Sequence, residues 1–524
     1  METGTVNDGG RITSLRGRVF DTVVVGAGAV GCATARELAG RGFETLLVDR
    51  ADIGSGTSSR SSRMLYSGVG YLAPSFPLWQ IPFRPIAVLK CFLYARNIMH
   101  CRAELLKDMP GRLTKHRFHY PFRKGDRYPH WLVEFGFRMM EALCSRGFPL
   151  AFRRLPTATA SRESDLAASL GGPLSSVGVF EEYMYDWPER ICVDTALDAE
   201  ARGATILTYA KVAAIRETGG NWEIALQDQA PGSSAEVRVL ARTIVNAAGP
   251  WVDRVSGARS GDTKRVIGKK GVNVMVRLPD AWKGQGLEAF SSKGETFYVF
   301  PWGDHHFIGP TELVVEDDPD DVRVLGSEID YILNEANLLF PNLHLTRNDV
   351  LHAWCGVRPM STLDGETVSL PVRAFEDAEL PGLITVTGSY IMMHRHAGRL
   401  AAQCVENKLG RRGEPPRGIL PRGVDKDIAA IVRNEHVVRL VDLIRRRLKD
   451  GLDPSLGRSR AEEISVIAAE AAGWSEERRL LELRHFEEDT LRVYHQVRSL
   501  EEGVPGRSSS TPTVMQSDSE RVRL

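Results

Sequence analysis

The sequence lacks features that are typical of disulfide-rich, zinc-binding, membrane-spanning and nucleic-acid-binding proteins. None of its seven cysteines belongs to a CxxC pair and their number is odd, so neither a disulfide framework nor a zinc site is expected. No apolar run is long enough to span a membrane, and the first residues lack the apolar core of a signal peptide. Basic and acidic residues balance at 67 each, which argues against a nucleic-acid partner. These absences favour a cytoplasmic protein.

The chain is long enough for two or three domains, because 524 residues exceed what one compact core contains. Residues 1–18 are typical of a flexible leader, and residues 504–524 are typical of a disordered tail. Proline, glycine and arginine concentrate in a linker over 409–425. Amphipathic helices are predicted over 426–503, which indicates a separate helical domain at the C-terminal end.

The segment VVVGAGAVGCATARELAGRGFETLLVD combines three glycines with a closing acid. Gly26 permits a tight turn after a strand, Gly28 lets the backbone approach a pyrophosphate, and Gly31 lets the following helix pack close to the strand. The start of that helix offers free N–H groups to phosphates. Asp49 ends the next strand, about 20 residues further on, where it can accept hydrogen bonds from ribose hydroxyls. Strand, turn, helix, strand and acid together predict a dinucleotide site.

Residues further along the chain favour FAD over NAD. A hydroxyl-rich loop, TSSRSSR, follows the second strand and can bond phosphate and flavin edges. The run TIVNAAGPWV ends a strand in small residues, which permits a second backbone approach at Gly249. Val212 lies in a predicted strand whose backbone can contact adenine. The candidate cofactor-binding residues of the loop are Thr57, Ser58, Ser59, Ser61 and Ser62.

These residues together resemble the FAD-dependent glycerol-3-phosphate dehydrogenases, a branch of the D-amino-acid-oxidase-like flavoproteins. The similar segments span nearly the whole chain in order: VVVGAGAVGCATARELAGRG, TSSRSSRMLYSGVGYL, IVNAAGPWV, YVFPWGDHHFIGPTE, GVRPM and AAGWSEER. The resemblance implies an α/β fold in which a Rossmann-like FAD-binding domain over 19–408 is interleaved with an antiparallel-sheet substrate domain, roughly 76–180 and 265–360. It also implies a C-terminal cap domain over 426–503. The implied reaction is oxidation of a secondary alcohol by hydride transfer to flavin N5, with a quinone or oxygen as the electron acceptor.

The chain departs from this family in the substrate pocket. The family carries a histidine after the serine loop and an arginine four residues later, and here those positions hold Tyr66 and Gly70. The family's lysine beside the flavin is replaced by Tyr390 in TGSYIMMHRHAGRL. Two further pocket arginines of the family are matched by Arg358 in GVRPM and Arg373 in LPVRAF.

The lost cations bear on the choice of substrate. Each hydrogen bond to a charged group is worth roughly 1.5–3 kcal/mol, so a phosphate dianion loses about 3–6 kcal/mol, or about a hundredfold to ten-thousandfold in affinity. Gly70 frees the volume of an arginine, and the tyrosines suit a polyol or sugar ring. We therefore expect an anionic or sugar-like substrate and poor activity on glycerol 3-phosphate. The alternative is that other cations keep the substrate unchanged, the candidates being Arg63, His394, Arg395 and His396.

Candidate catalytic roles can be assigned to the residues of this pocket. Arg358 is expected to hold the substrate anion or its reacting oxygen, and Arg373 a distal anionic group. The base that accepts the hydroxyl proton is predicted to be Tyr66, Tyr390 or His394, although His394 also fits an ordinary packing role. A helix starting near Gly388 is expected to direct its N-terminus toward the flavin pyrimidine.

Two further questions stay open at the level of sequence. An FAD-dependent amine or amino-acid oxidase, with Arg358 as a carboxylate clamp, competes with the alcohol dehydrogenase, and a non-catalytic or NAD-binding protein is a third possibility. The segment from Leu78 to Met99 mixes aromatic, aliphatic and basic residues, which is typical of an interfacial helix but also of a core or lid helix. Peripheral contact with the inner face of a membrane is therefore an expectation.

Overall fold

Two β-sheets organise the chain in a computed structural model that describes residues 10–72, 78–126, 128–257, 264–315, 318–363, 366–368, 372–377, 379–418 and 427–495. Strands are numbered β1 to β20 along the chain. The eight-stranded sheet contains β1 (Val19–Val25), β2 (Thr45–Val48), β7 (Thr205–Leu207), β8 (Ala210–Thr218), β9 (Asn221–Asp228), β10 (Glu236–Asn246), β18 (Arg373–Glu376) and β19 (Leu383–Thr387). The twelve-stranded sheet contains β3 (Met64–Leu65), β4 (Leu113–Arg123), β5 (Arg153–Leu155), β6 (Leu174–Tyr185), β11 (Val266–Val276), β12 (Gln285–Phe290), β13 (Thr296–Trp302), β14 (His305–Gly309), β15 (Leu313–Val315), β16 (Val350–Leu363), β17 (Glu366–Val368) and β20 (Tyr494–His495).

The α-helices of the described residues, numbered in the same way, cover the sheets and form the C-terminal group. They are α1 (Gly10–Thr13), α2 (Ala29–Gly40), α3 (Pro85–Asp108), α4 (His130–Cys144), α5 (Thr157–Glu163), α6 (Asp165–Ala168), α7 (Pro188–Ala201), α8 (Val252–Val255), α9 (Gly326–Leu339), α10 (His394–Leu409), α11 (Ile428–Asn434), α12 (Leu440–Asp442), α13 (Ala461–Ala472) and α14 (Glu476–Val493).

The smaller sheet is a Rossmann-like parallel sheet. Its central strand β1 pairs in parallel with both β2 and β10, and β10 continues in parallel to β19. Such strands are buried on both faces, which explains the valine run of β1. Helix α2 packs against both α7 and α10. The predicted order of strand, glycine turn, helix and strand is therefore confirmed, with the glycine turn at the carboxyl end of β1.

The larger sheet is antiparallel apart from the pair β4 and β12. Its longest ladders join β4 to β6 and β11 to β16. The antiparallel-sheet fold predicted for the substrate domain is confirmed. The ranges expected for it, 76–180 and 265–360, contain most of the strands, but β3, β17 and β20 lie outside them.

The described part of the predicted leader is folded. Residues Ile12 and Leu15, in and just after α1, are buried against the smaller sheet. The expectation of a flexible leader is therefore wrong for residues 10–18, because these two apolar side chains find a core to join. Residues 1–9 and the predicted tail, 504–524, lie outside the described residues.

The described part of the predicted linker, residues 409–418, lies against α2. Arg36 donates a hydrogen bond to the carbonyl of Gly418, and the ring of Pro416 lies where a side chain at Gly40 would stand. The linker is therefore attached to the nucleotide-binding domain over this stretch. The rest of it lies outside the described residues.

The C-terminal helices form a small core of their own, as predicted, and also contact both sheets. Helices α11 to α14 bury a cluster of aliphatic side chains around Phe486. A π-helical turn, Leu443–Arg447, follows α12. Strand β20 then adds to the larger sheet beside β16, opposite Ala353 and Trp354. The C-terminal domain is therefore joined to the rest of the chain at its end as well as at its linker.

Buried ion pairs dock this domain onto the nucleotide-binding domain. Asp52 follows β2 and is 0% exposed. Nη2 of Arg447 donates to Oδ1 of Asp52 over 2.8 Å, and Arg446 and Arg447 both donate to its Oδ2. Arg446 also binds Asp442, which accepts from the hydroxyl of Tyr209 over 2.7 Å. Burial alone would raise the pKa of Asp52, but the guanidinium groups of Arg447 and Arg446 outweigh it and lower that pKa.

We predict that Arg447→Met destabilises the protein by about 3 kcal/mol, because a broken buried ion pair leaves an under-compensated charge. The measurement is the midpoint of urea unfolding. The matched control is Arg238→Met, since the side chain of Arg238 is 62% exposed in its pair with Glu223 and surface pairs contribute less than about 1 kcal/mol. Equal effects of the two substitutions would contradict the docking role of Arg447.

Candidate active site

A cavity of about 1120 Å³ joins the two sheets and the C-terminal helices. It reaches from the glycine turn and the serine loop to a group of tyrosines and Arg358 on the larger sheet. Ordinary small-molecule pockets measure about 300–1,000 Å³, so this volume suits an extended dinucleotide together with a small substrate. The predicted cofactor residues that line it are Gly26, Gly28, Asp49, Thr57, Ser58, Ser59, Ser61, Ser62, Val212 and Gly249.

In the glycine turn, the backbones of the turn, of α2 and of the end of β10 approach one another more closely than a Cβ would permit. Gly26 has a φ of +103°, and a Cβ there would lie 2.7 Å from the carbonyl oxygen of Ala247 at the end of β10. A Cβ at Gly31 would overlap the carbonyl of Gly26. Gly31 thus sets the packing of α2 against β1, as predicted, and is not part of the cavity wall formed by the described residues.

Asp49 holds this turn in place. Its Oδ2 accepts a hydrogen bond from Ala27 N over 2.7 Å, and its Oδ1 accepts one from Ala51 N over 2.8 Å. Burial raises the pKa of Asp49, although these two N–H groups oppose the shift. Ser58 Oγ likewise accepts from Ala29 N, 3.0 Å away, at the start of α2. The acid and the serine loop therefore stabilise the turn in addition to facing the cavity.

These residues fit FAD. The start of α2, with Gly28, Ala29 and Val30 in the cavity wall, offers N–H groups to a pyrophosphate. A Cβ at Gly28 would reach to 3.3 Å from Ser58 Oγ and narrow this approach. Trp251 lines the cavity, and its Nε1 is without a partner among the described residues. The donor set is therefore rich in N–H and O–H groups, which suits a dinucleotide with two phosphates and many hydroxyls.

Tyrosines form the far wall of the cavity. The rings of Tyr66 and Tyr71 meet edge to face at 5.9 Å, and Tyr71 lies 5.9 Å from the ring of Tyr390. Tyr298 also lines the cavity. Burial, followed by the neighbouring Tyr390, raises the pKa of Tyr71. The four side chains present both hydroxyls and aromatic faces to a bound molecule.

Two cations share one carboxylate beside this wall. Strands β11 and β16 pair so that Lys269 lies opposite Arg358. Arg358 Nη1 donates to Glu312 Oε1 over 3.1 Å, and Lys269 Nζ donates to Glu312 Oε2. Burial alone would raise the pKa of Glu312, but Arg358 and Lys269 lower it. The group therefore carries a net positive charge, and all three side chains line the cavity.

Several predicted residues lie elsewhere. Among the described residues, the cavity wall does not include Gly70, Gly388, Arg373 or His394. Nη1 of Arg373 donates to the carbonyl of Thr362 over 3.3 Å. Gly388 precedes a 3-10 turn, Ile391–Met393, so α10 begins at His394 and later than predicted.

His394 does not have the surroundings of the catalytic base predicted for it. Its ring is fully buried, and its Nδ1 donates to the carbonyl of Ile391 over 2.6 Å. Burial lowers the pKa of His394 to about 4. These surroundings fit the packing role that the sequence also allowed for His394.

The volume that we expected Gly70 to free is not open. The hydroxyl of Tyr66 accepts a hydrogen bond from Gly70 N over 2.7 Å, and a Cβ at Gly70 would overlap that hydroxyl. Of the alternative cations, Arg63 lines the cavity but pairs with Glu189 at 3.3 Å. Arg395 pairs instead with Asp108 of α3. The further cation in the described cavity wall that lies beside Arg358 is Lys269.

Four residues of this wall were not among the predicted site residues: Tyr71, Lys269, Tyr298 and Glu312. Lys269 stands in RVIGKKGVNVMV, where a basic pair lies within the otherwise largely apolar strand β11. Such a pair in an otherwise apolar strand is a signal that one lysine faces a polar site. The partner Glu312 gives no comparable signal, because it depends on how distant strands pair.

Comparison with known proteins agrees with this geometry. A model of the FAD dependent oxidoreductase family, DAO, matches residues 21–404. The chain belongs to this family. The resemblance drawn from the motifs is confirmed, and FAD is the cofactor of this DAO-family oxidoreductase.

The curated relatives include two dehydrogenases of phosphorylated alcohols. The chain is 28% identical over 422 residues to the glycerol-3-phosphate dehydrogenase of Synechocystis sp., covering 77% of this chain and 72% of that one. It is 32% identical over 348 residues to the D-erythritol 1-phosphate dehydrogenase of Brucella abortus, covering 65% and 63%. Among solved structures, the FAD complex of the Bacillus halodurans glycerol-3-phosphate dehydrogenase matches with a TM-score of 0.69 at 22% identity, over 92% and 96% of the chains. This last likeness confirms the fold.

We predict that Asp49→Ala weakens FAD retention at least about tenfold, because hydrogen bonds to a charged acceptor are worth roughly 1.5–3 kcal/mol each. Asp49→Asn keeps one acceptor oxygen and is expected to lie between the parent and the alanine variant. The measurement is the fluorescence of FAD released on dilution of the purified protein. Asp165→Ala, at an exposed site on α6, serves as the control. If Asp49→Ala retained FAD as tightly as the parent, the carboxylate of Asp49 would have no role in binding the cofactor.

Proposed function

We propose that this chain oxidises a hydroxyl group of a phosphorylated polyol larger than glycerol 3-phosphate. The observation that carries the proposal is the pair of cations, Arg358 and Lys269, held together by Glu312 beside a wall of tyrosines. Two cations on one side of the cavity suit a phosphate group, which accepts several charge-assisted hydrogen bonds. The relatives that act, by name, on glycerol 3-phosphate and erythritol 1-phosphate support the same class of substrate.

Different residues of the cavity bind the phosphate and accept the proton. When bound, FAD supplies the acceptor for the hydride that leaves the alcohol carbon. Arg358 and Lys269 hold the phosphate and thereby fix the distance of the carbon chain from the cofactor site. Among the hydroxyls of the wall, those of Tyr66 and Tyr390 are our candidates for accepting the alcohol proton.

The tyrosine wall favours a longer carbon chain. An arginine at position 70 and a lysine at position 390 would each present charge, whereas Tyr66 and Tyr390 present hydroxyls and ring faces. A four-carbon polyol phosphate has one hydroxyl-bearing carbon more than glycerol 3-phosphate. The hydroxyl on that carbon can form hydrogen bonds with the tyrosine hydroxyls, which offsets the weaker binding of the phosphate.

We predict a higher kcat/KM for erythritol phosphate than for glycerol 3-phosphate, with the latter below about 10⁴ M⁻¹s⁻¹. Lys269→Met should raise KM for the phosphorylated polyol about tenfold or more and leave the free polyol unaffected, because only the phosphate contacts the cation. The measurement is the initial rate with a dye acceptor on glycerol, erythritol and their phosphates. Lys449→Met, at an exposed site, is the matched control.

Restoring the family residues reverses the preference. The combined variant Tyr66→His, Gly70→Arg and Tyr390→Lys should raise kcat/KM on glycerol 3-phosphate and lower it on the larger substrate. Tyr66 has to change together with Gly70, because its hydroxyl occupies the space of a side chain there. A parent enzyme that already oxidises glycerol 3-phosphate faster than the four-carbon phosphate would overturn the preference for a longer chain.

We also propose that the protein works at the inner face of a membrane, with a quinone as electron acceptor. Trp79, Phe83 and Ile86, at and before the start of α3, are 70%, 78% and 71% exposed. On the neighbouring helix α4, Trp131 and Phe135 are also exposed. Exposed apolar side chains in such number are a feature of interaction surfaces. Among the described helices, none combines the length and apolarity that crossing a membrane requires.

We predict that the double variant Trp79→Ser and Phe83→Ser lowers binding to anionic vesicles at least about tenfold, since each large apolar side chain contributes about 1.5–3 kcal/mol when buried. The measurement is flotation of the protein with phosphatidylglycerol-containing liposomes at low salt. Leu338→Ser is the control, because Leu338 is 64% exposed on α9. Parent protein that stays with the soluble fraction and reduces oxygen readily would point to a cytosolic oxidase.

A further inference from the structure

A buried carboxyl group lies behind the tyrosine wall. Glu288 of β12 is 8% exposed and stands directly opposite Tyr298 of β13 in the sheet. Its Oε1 lies 3.4 Å from the hydroxyl of Tyr298 and 3.5 Å from the hydroxyl of Tyr66. Both tyrosines line the cavity. Oε2 of Glu288 has no hydrogen-bond partner among the described residues.

The surroundings of Glu288 oppose its ionisation. Burial, followed by the nearby carboxylate of Glu182, raises the pKa of Glu288 to about 8. The two tyrosine contacts are longer than an ordinary O–H···O bond of about 2.5–3.0 Å and compensate a charge only weakly. The titratable and charged groups around it are Tyr66, Tyr120 of β4, Tyr298, and Glu182 of β6 with its partner Arg102 of α3.

The hydrogen bonds of Tyr66 determine the direction in which its hydroxyl O–H points. The Tyr66 oxygen accepts from the backbone N–H of Gly70 over 2.7 Å, which leaves its own O–H to point toward Glu288. A neutral phenol already carries one proton. Tyr66 can therefore take a second proton from an alcohol only if it passes its own to another group at the same time.

We propose that Glu288 is the proton acceptor behind Tyr66. As the alcohol O–H bond breaks, its proton moves to the Tyr66 oxygen, the Tyr66 proton moves to the Glu288 carboxylate, and the C=O bond forms. The hydrogen and electron pair of the C–H bond go to the bound FAD, the oxidant. The inference rests on the proposed oxidation of an alcohol. Glu288 acts through Tyr66 and does not itself touch the substrate.

The sign of the pH dependence follows from this role. Glu288 accepts a proton only when ionised, so flavin reduction should speed up as pH rises through about 8. Between pH 7 and pH 9 the ionised fraction, and with it the rate, should increase about tenfold. A buried acid that stayed protonated for structural reasons alone would not impose this rise on the chemical step.

The decisive experiment is anaerobic stopped-flow reduction of the flavin in the holoenzyme from pH 6 to 10. The reductant is the alcohol that reacts fastest among glycerol, erythritol and their phosphates. Glu288→Gln, which matches the neutral acid in shape, should lose the alkaline rise and react at least about a hundredfold more slowly at pH 9. Tyr66→Phe should behave alike, and the double variant should be no slower than either single one, because both remove the same relay.

A control separates this role from a general effect of buried charge. Glu182→Gln removes the neighbouring carboxylate but not the relay, so the alkaline rise should persist with its midpoint moved to lower pH. Thermal melting gives a second, substrate-free readout. Because native Glu288 retains its proton between the unfolded pKa and about pH 8, the parent should lose stability relative to Glu288→Gln as pH rises through that interval.

The outcomes distinguish this inference from the proposed function. An alkaline rise that survives in Glu288→Gln, or additive losses in the double variant, overturns the role of Glu288 and leaves the substrate class standing. Faster reduction by the free polyols than by their phosphates overturns the substrate class, while the pH test proceeds with the free polyol. A flavin that none of the alcohols reduces overturns both.

Discussion

The turn that follows β2 is the constraint on which the site depends, because two carboxylates in it face different parts of the molecule. Asp49 accepts hydrogen bonds from the backbone of Ala27 and Ala51, and so holds the glycine turn against the end of β2. Asp52 is buried between Arg446 and Arg447 and so holds the C-terminal helices over the same turn. A buried ion pair adds little net stability, since desolvation offsets the attraction, but it tolerates one arrangement far better than others. The docked C-terminal helices thereby supply part of the wall of the cofactor cavity.

Much of the nucleotide-binding half was predictable because its signals are local. The glycines, the acid and the hydroxyl-rich loop are each recognisable within a few residues of sequence. The backbone geometry requires the glycines, as the positive φ at Gly26 and the close approach at Gly31 show. The leader escaped prediction because its two apolar residues are too few to form a periodic pattern, yet they suffice to bury against a core that other segments provide.

The substrate-binding residues could not be predicted to the same depth, because they become neighbours only through the register in which distant strands pair. Lys269 and Arg358 become neighbours only when β11 and β16 pair in the observed register, and Glu288 faces Tyr298 only through the pairing of β12 and β13. A shift of one residue would move each of these side chains to the opposite face of the sheet. Motif comparison found Arg358, whose position the family shares, but gave no reason to choose Lys269. The same match assigned Arg373 to the pocket, whereas its side chain contacts the backbone of Thr362. His394, a candidate base that also fitted a packing role, contacts the backbone of Ile391.

The two departures at positions 66 and 70 are physically one change. The Tyr66 hydroxyl lies against the backbone of Gly70 and accepts its N–H, so any side chain at position 70 would displace it. The Tyr66 hydroxyl can therefore keep this position only beside glycine at position 70, and an arginine there would have to displace it. The exchange also alters proton handling. An imidazole has a free nitrogen that can hold a proton by itself, whereas a neutral phenol has to pass one on as it receives one. A tyrosine in this place is useful as a proton acceptor only with a second group behind it. Glu288, within 3.5 Å and otherwise weakly hydrogen-bonded, is the described side chain that meets that need.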